Sequence, residues 1–238
     1  MSTNTITIPE YGGTFRSKGK LLAYLYAMRD ELAELRKEEV KRNKSKRLFG
    51  TLGEYYDCAV YLKALAYNNL LTYPFSFCKS ERPDFILNEA EGLEHIRATP
   101  ENYQKFLTRI EDSQSMQCYS KKGFGEQETL ALELLSRHLT NHSAKVAKYL
   151  ENNAALGTID AVCKVELPMG LEPSEAQRML NDYLTAASLG FRNIGIITNI
   201  RLISSEYNGS DIVIWAQQNN GETRLQILDA PYYQREVA

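Results

Sequence analysis

The chain has 238 residues, 43% of them hydrophobic and 24% charged, with a formal net charge of −2. That is enough apolar material for a sizeable core and too even a charge for a globally basic nucleic-acid binder; any such surface needs its Lys and Arg segregated onto one face. No run of about 18 apolar residues occurs, so no membrane span is expected, and the polar start of the chain shows no signal peptide.

In chain order, residues 1–17 form an arm, with Thr5 to Pro9 as a short strand or ordered segment. From Lys18, Leu21, Leu22, Leu25, Met28, Leu32 and Leu35 recur at three- and four-residue steps, the stripe of an amphipathic helix, with Ser17 as its N-cap. A basic run follows, including Lys41, Arg42, Lys44, Lys46 and Arg47. Such a run suits phosphate contacts, and it equally suits the negative end of a helix dipole. A second helix is expected from Glu54 to about Leu71, opened by a Thr51-x-x-Glu54 capping box, with Tyr55, Ala59, Leu62, Ala66 and Leu70 on its apolar face. These features divide the chain into an arm and long helix over residues 1–50 and a larger domain over residues 51–238.

Tyr73 to Cys78 alternates large apolar and small residues, as a strand does. The stretch Glu81-Arg82-Pro83-Asp84-Phe85-Ile86-Leu87 through Gly92-Leu93-Glu94-His95-Ile96 then predicts two strands joined by a turn, with Gly92 supplying the conformational freedom. Asp84 stands at the mouth of the first strand and Glu94 lies within the second. Paired strands are about 5 Å apart. Two carboxylates that close repel unless a cation lies between them, and Mg²⁺ is a common solution.

Thr99 and Pro100 open a helix to about Ile110. Ser113 to Lys122 reads as a loop whose end, Lys121 and Lys122, offers a substrate contact. A long helix is expected from Gly125 to Asn152. It carries His138-x-x-x-His142, a spacing that can bind zinc, although Leu139 after His138 excludes the HExxH motif. Strands follow at Thr158 to Leu167 and Asn193 to Thr198, with a helix from Ser174 to Leu189 between them. A hairpin around Asn219-Asn220-Gly221 ends the chain. The four cysteines, Cys58, Cys78, Cys118 and Cys163, lack CxxC spacing and read as small buried hydrophobes of a reducing, cytoplasmic compartment. This order predicts a mixed α/β (α+β) fold: a helical N-terminal region and a mixed, mostly antiparallel central sheet with helices on both faces.

The Pro83-Asp84-Phe85 and Gly92-Leu93-Glu94 segments resemble the PD-(D/E)XK nuclease superfamily, in particular members with a PDF…GIE pattern. The resemblance covers about Glu54 to Tyr149. It implies a restriction-endonuclease-like core and divalent-metal-assisted phosphodiester hydrolysis, with Mg²⁺ or Mn²⁺ held by Asp84 and Glu94. It also implies a role at the metal for Glu54, on the helix before the hairpin. Ile96 stands where the motif lysine belongs. Lys145 and Lys148, on the helix after the hairpin, are the replacements the resemblance suggests. The partner implied is nucleic acid, DNA ahead of RNA, with room for a homodimer. The alternative is a nuclease-fold binding or inhibitory module of phage or mobile-element origin that has lost catalysis.

Overall fold

The computed structural model describes residues 8–41, 46–98, 124–165, 190–198, 210–219 and 222–231, with Asn181 and Leu184. The elements are β1 (Gly12–Phe15), α1 (Lys18–Lys41), α2 (Lys46–Tyr67), β2 (Phe75–Lys79), β3 (Phe85–Leu87), β4 (Glu91–Ala98), α3 (Phe124–Asn152), β5 (Thr158–Val165), β6 (Asn193–Thr198), β7 (Ser210–Asn219) and β8 (Glu222–Pro231). The strands form one sheet in chain order. Neighbours are antiparallel except β4–β5 and β5–β6, which are parallel. The antiparallel pairs β2–β3, β3–β4 and β7–β8 have short connections, whereas α1 and α2 lie between β1 and β2 and α3 lies in the crossover between parallel β4 and β5. The fold is therefore a mixed α/β sheet with helices on both faces.

Strand alternation divides the core into two layers. Phe75, Phe77, Phe85, Leu93, Val162, Ile197 and Val213 pack with Leu21, Leu25, Met28 and Leu32 of α1 and Tyr55, Ala59 and Leu62 of α2. Ile96, Ala161, Cys163, Ile196 and Ile214 pack with Leu135, Leu139 and Val146 of α3. The α1 stripe is thus buried as its spacing predicts, and the Ser17 hydroxyl accepts from Lys20 N–H at 3.4 Å at the expected cap.

Helix α2 departs from expectation at both ends. It begins at Lys46, so Thr51 and Glu54 lie inside it and form no capping box. Gly50 and Gly53 weaken a helix by about 1 kcal/mol each relative to alanine, which made this stretch resemble a break. Burial of Leu52, Tyr55, Cys58 and Ala59 carries the helix through it. The helix ends at Tyr67, where Asn69 takes φ 56° and Leu70 N–H bonds back to Leu65 O at 2.9 Å. This is the left-handed stop typical of helix C-termini. Leu70 is therefore exposed and not part of the apolar face.

The hairpin turn is also built differently. Asn88 and Glu89 take the left-handed conformation, with φ 49° and 63°. Gly92 lies within β4, where a Cβ would meet Pro83 Cγ at 2.6 Å and Ile159 Cγ1 at 3.1 Å. Its role is close packing of Pro83 on the strand. Gly195 of β6 is a parallel case: a Cβ there would overlap the fully buried Tyr61 ring of α2. Gly195→Ala is expected to cost about 1–3 kcal/mol by overpacking. The urea midpoint of the variant checks this, and an unchanged midpoint would show that Tyr61 can yield.

Lys63 of α2 is buried beneath β7, its Nζ 3.8 Å from Asp211 Oδ2 and 5.3 Å from the centre of the Tyr26 ring. Burial lowers its pKa to about 8, with Asp211 opposing the shift. The predicted helix from Thr99 to Ile110, the loop ending at Lys121 and Lys122, and Cys118 lie outside the described residues, as does nearly all of the helix predicted from Ser174 to Leu189. No helix of the described residues is long and apolar enough to cross a membrane.

Candidate functional site

The β3–β4 register pairs Phe85 with Leu93, Ile86 with Gly92 and Leu87 with Glu91. One step beyond, Asp84 falls opposite Glu94. Phe85 and Leu93 belong to the α1–α2 core. Each carboxylate is held from a different side of the sheet.

On the α2 side, Lys79 closes β2. The alternation Phe75-x-Phe77-x-Lys79 gives it the face of the two buried rings. Its Nζ donates to Glu54 Oε2 at 2.8 Å, lies 3.5 Å from Asp84 Oδ1 and sits 4.5 Å from the centre of the Phe85 ring. Burial opposes the ammonium charge, but the hydrogen bond to Glu54 and the charge of Asp84 outweigh it and raise its pKa. Asp84 Oδ2 accepts the backbone N–H of His95 at 2.7 Å. The His95 ring points to α2, with Nε2 2.9 Å from Asp57 Oδ2.

On the α3 side, Glu94 is 6% exposed. Its Oε1 accepts from His142 Nδ1 at 2.8 Å and from the Tyr149 hydroxyl at 3.3 Å. Burial raises the pKa of Tyr149 to about 12, with the charge of Glu94 adding to the effect. Burial also raises the Asp84 carboxyl above its ordinary range, against the His95 hydrogen bond, and the charge of Glu94 pushes it further. Lys79 pulls it back without cancelling the shift. Burial is thus the main cause of the shift at Asp84, with Lys79 as its neighbouring cation.

Lys79 thus joins Glu54 to Asp84, while Glu94 is engaged by α3. Among the described residues no group of three or more His, Cys, Asp and Glu side chains is disposed to hold a metal ion. A pair of carboxylates still suits Mg²⁺, which keeps several waters and takes one or two carboxylates alongside substrate phosphate. Asp84 and Glu94 are the pair that could do so. Of the two histidines of α3, His142 meets Glu94 Oε1 through Nδ1 at 2.8 Å. Lys145 and Lys148 are exposed, whereas His142, Val146 and Tyr149 face the sheet. The β4 position of the motif lysine is closed as well, because Ile96 is 1% exposed in the α3-side core.

Lys41 ends α1, and Lys46 and Arg47 open α2. Arg42, Lys44, Lys121 and Lys122 lie outside the described residues. The free cysteines Cys58 and Cys163 are buried as expected, but Cys78 is exposed because it alternates with Phe77 on β2. Lys79 and Tyr149 are the site residues that sequence reasoning left out, and His142 enters it only as half of a candidate zinc pair. Compared with family models, with characterised proteins and with solved structures, the chain matches none.

Proposed function

We propose that the chain is a divalent-metal-dependent nuclease-like protein with a PD-(D/E)XK-type core, acting on or binding nucleic-acid phosphodiesters. The observation that carries this reading is the opposed Asp84–Glu94 pair in surroundings that raise the Asp84 carboxyl. The parts implied by the resemblance lie around it: a helix carrying Glu54 before the hairpin, the hairpin itself, and α3 after it. Asp84 and Glu94 would hold Mg²⁺ or Mn²⁺, which supplies charge neutralisation and a water of lowered pKa when bound. Lys79 supports the reading too, as a cation next to Asp84 that could orient a water or a phosphate oxygen where Ile96 cannot. The basic run from Lys41 to Arg47, together with Lys121 and Lys122, would offer phosphate contacts.

Single-turnover cleavage of DNA and RNA with Mn²⁺ tests the assignment. Lys79→Met is expected to slow cleavage about 10²–10⁴-fold, the range for a group that handles the proton or positions the nucleophile. Lys145→Ala and Lys148→Ala, on the exposed side of α3, are expected to leave the rate unchanged. The reverse pattern would return the role to α3.

A second reading, a binding or inhibitory module without catalysis, is favoured by Ile96 in the lysine position and by the engagement of Glu94 with His142 and Tyr149. Nucleic-acid binding without cleavage under any divalent ion would select it.

A further inference from the structure

We propose that Arg97 and Lys164, with Arg29 beside them, form a phosphate-contacting surface for a nucleic-acid backbone at the carboxyl ends of parallel β4 and β5. The proposal rests on the nucleic-acid reading given above and needs no metal ion. It begins from the β4–β5 register, which pairs Arg97 with Lys164, each the next-to-last residue of its strand. Strand alternation puts both on the α2 side. Leu93 and Val162, on the same strand faces, belong to the α1–α2 core, and the His95 ring reaches Asp57 of α2. Paired positions on neighbouring strands carry their side chains about 5 Å apart. Two like charges side by side on one face destabilise a sheet. A bound anion between them reverses the sign of that interaction.

The surrounding charges do not offset the pair. Lys164 is half-buried and forms no hydrogen bond or ion pair among the described residues. The acid within electrostatic reach of it is Asp211 of β7, two strands away in the sheet. Asp211 also answers Lys63 of α2, at 3.8 Å, and Arg29 of α1, so one carboxylate is shared among three cations. Asp229 of β8 adds its charge opposite Lys63, and Arg29 is hydrogen-bonded to the Tyr56 hydroxyl. Asp57 is held by His95 at 2.9 Å. A phosphodiester supplies the negative charge, with the planar guanidinium fork suited to two phosphate oxygens and the lysine acting as a point charge. The position suits the rest of the molecule as well. Arg97 is exposed and lies two residues beyond His95 on the same strand face, about 7 Å along it. The His95 N–H holds Asp84, so a backbone lying over the basic pair leads toward Asp84 and Lys79. Open α/β sheets commonly present ligands at the carboxyl ends of their parallel strands.

The experiment is fluorescence anisotropy of the full chain against labelled duplex DNA, single-stranded DNA and RNA, in EDTA, over about 50–200 mM salt. The proteins are wild type, Arg97→Gln, Lys164→Gln, the double Gln variant and Lys164→Arg. A charge-matched control, Arg16→Gln/Lys20→Gln, removes two exposed cations around the start of α1. Circular dichroism checks the fold of each. Each Gln substitution is expected to reduce the slope of log affinity against log salt on duplex DNA by about 0.9, and the double variant by about twice that. At about 0.1 M salt each lost contact corresponds to roughly tenfold weaker binding. Lys164→Arg and the control should keep the wild-type slope, since the first preserves the charge and the second lies elsewhere. An unchanged slope in the folded double variant, or an equal loss in the control, would overturn this surface and leave the nucleic-acid reading in place. If the double variant does not fold, the single variants decide in the same way. A wild type with no affinity for any of the three nucleic acids would overturn the nucleic-acid reading and this surface with it.

Discussion

Asp84→Asn is expected to abolish divalent-ion binding and any metal-dependent cleavage while leaving the fold at least as stable as the wild type. The substitution keeps the shape of the side chain and an oxygen to accept the His95 N–H at the same place. It removes the charge on which a hard cation depends. The stability arm follows from the raised pKa of Asp84, caused first by burial and then by the charge of Glu94. A carboxyl whose folded pKa lies above its unfolded value binds more protons in the native state. Stability then falls as pH rises through the interval between the two values. Above that interval the ionised Asp84 is a standing cost, relieved in part by Lys79, and asparagine does not carry it. Urea denaturation at pH 5 and pH 7 measures this. The variant should gain on the wild type as pH rises. A large loss of stability at pH 7 would mean that the Lys79–Asp84 pair is chiefly structural.

Arg192→Ala is expected to destabilise the fold by about 2 kcal/mol, below the range for breaking a fully buried ion pair because the Arg192 side chain is itself 36% exposed. Asp160 is 2% exposed on β5. The Arg192 guanidinium grips it through Nε and Nη2, both at 3.0 Å, while Nη1 reaches Glu91 Oε1 at 2.6 Å. One side chain thereby ties together the starts of parallel β4, β5 and β6. Burial raises the Asp160 carboxyl, and Arg192 and Asn193 hold it down against that push. Without the guanidinium, Asn193 N–H and Nδ2 remain as donors, which limits the loss. Asp160 would then move further up. The deficit should be largest above the carboxylate range and should shrink as acid protonates the stranded group. Thermal melts at pH 7 and pH 5 check both size and sign. An equal deficit at the two values would point to lost packing of the arginine stem.

Sequence reading succeeded where one element determines the answer. The α1 stripe, the β6 strand and the terminal hairpin follow from local period and turn chemistry alone. So does the β3–β4 hairpin itself, whose ladder pairs Phe85 with Leu93. It failed where packing outweighs propensity, as at Gly50 and Gly53, or where a partner comes from elsewhere in the chain. Lys145 and Lys148 are close in sequence to the expected helix face but lie outside the stripe of Leu135, Leu139, Val146 and Tyr149. That stripe was a usable signal. A histidine and a tyrosine on it, His142 and Tyr149, must find polar partners on the sheet. Lys79 gave a similar sign, a cation on the same strand face as Phe75 and Phe77, which requires an acid. Which acid it meets depends on the β2–β3 register and the position of α2, and neither is local information.

The most direct test of the central claim is a Mn²⁺ titration followed by the electron paramagnetic resonance signal of the free ion. Wild-type protein should deplete that signal in a saturable manner, and both Asp84→Asn and Glu94→Gln should leave it undepleted. Wild-type protein that takes up no Mn²⁺, or variants that take it up as well as wild type, would contradict the assignment of Asp84 and Glu94 as the ion-binding pair.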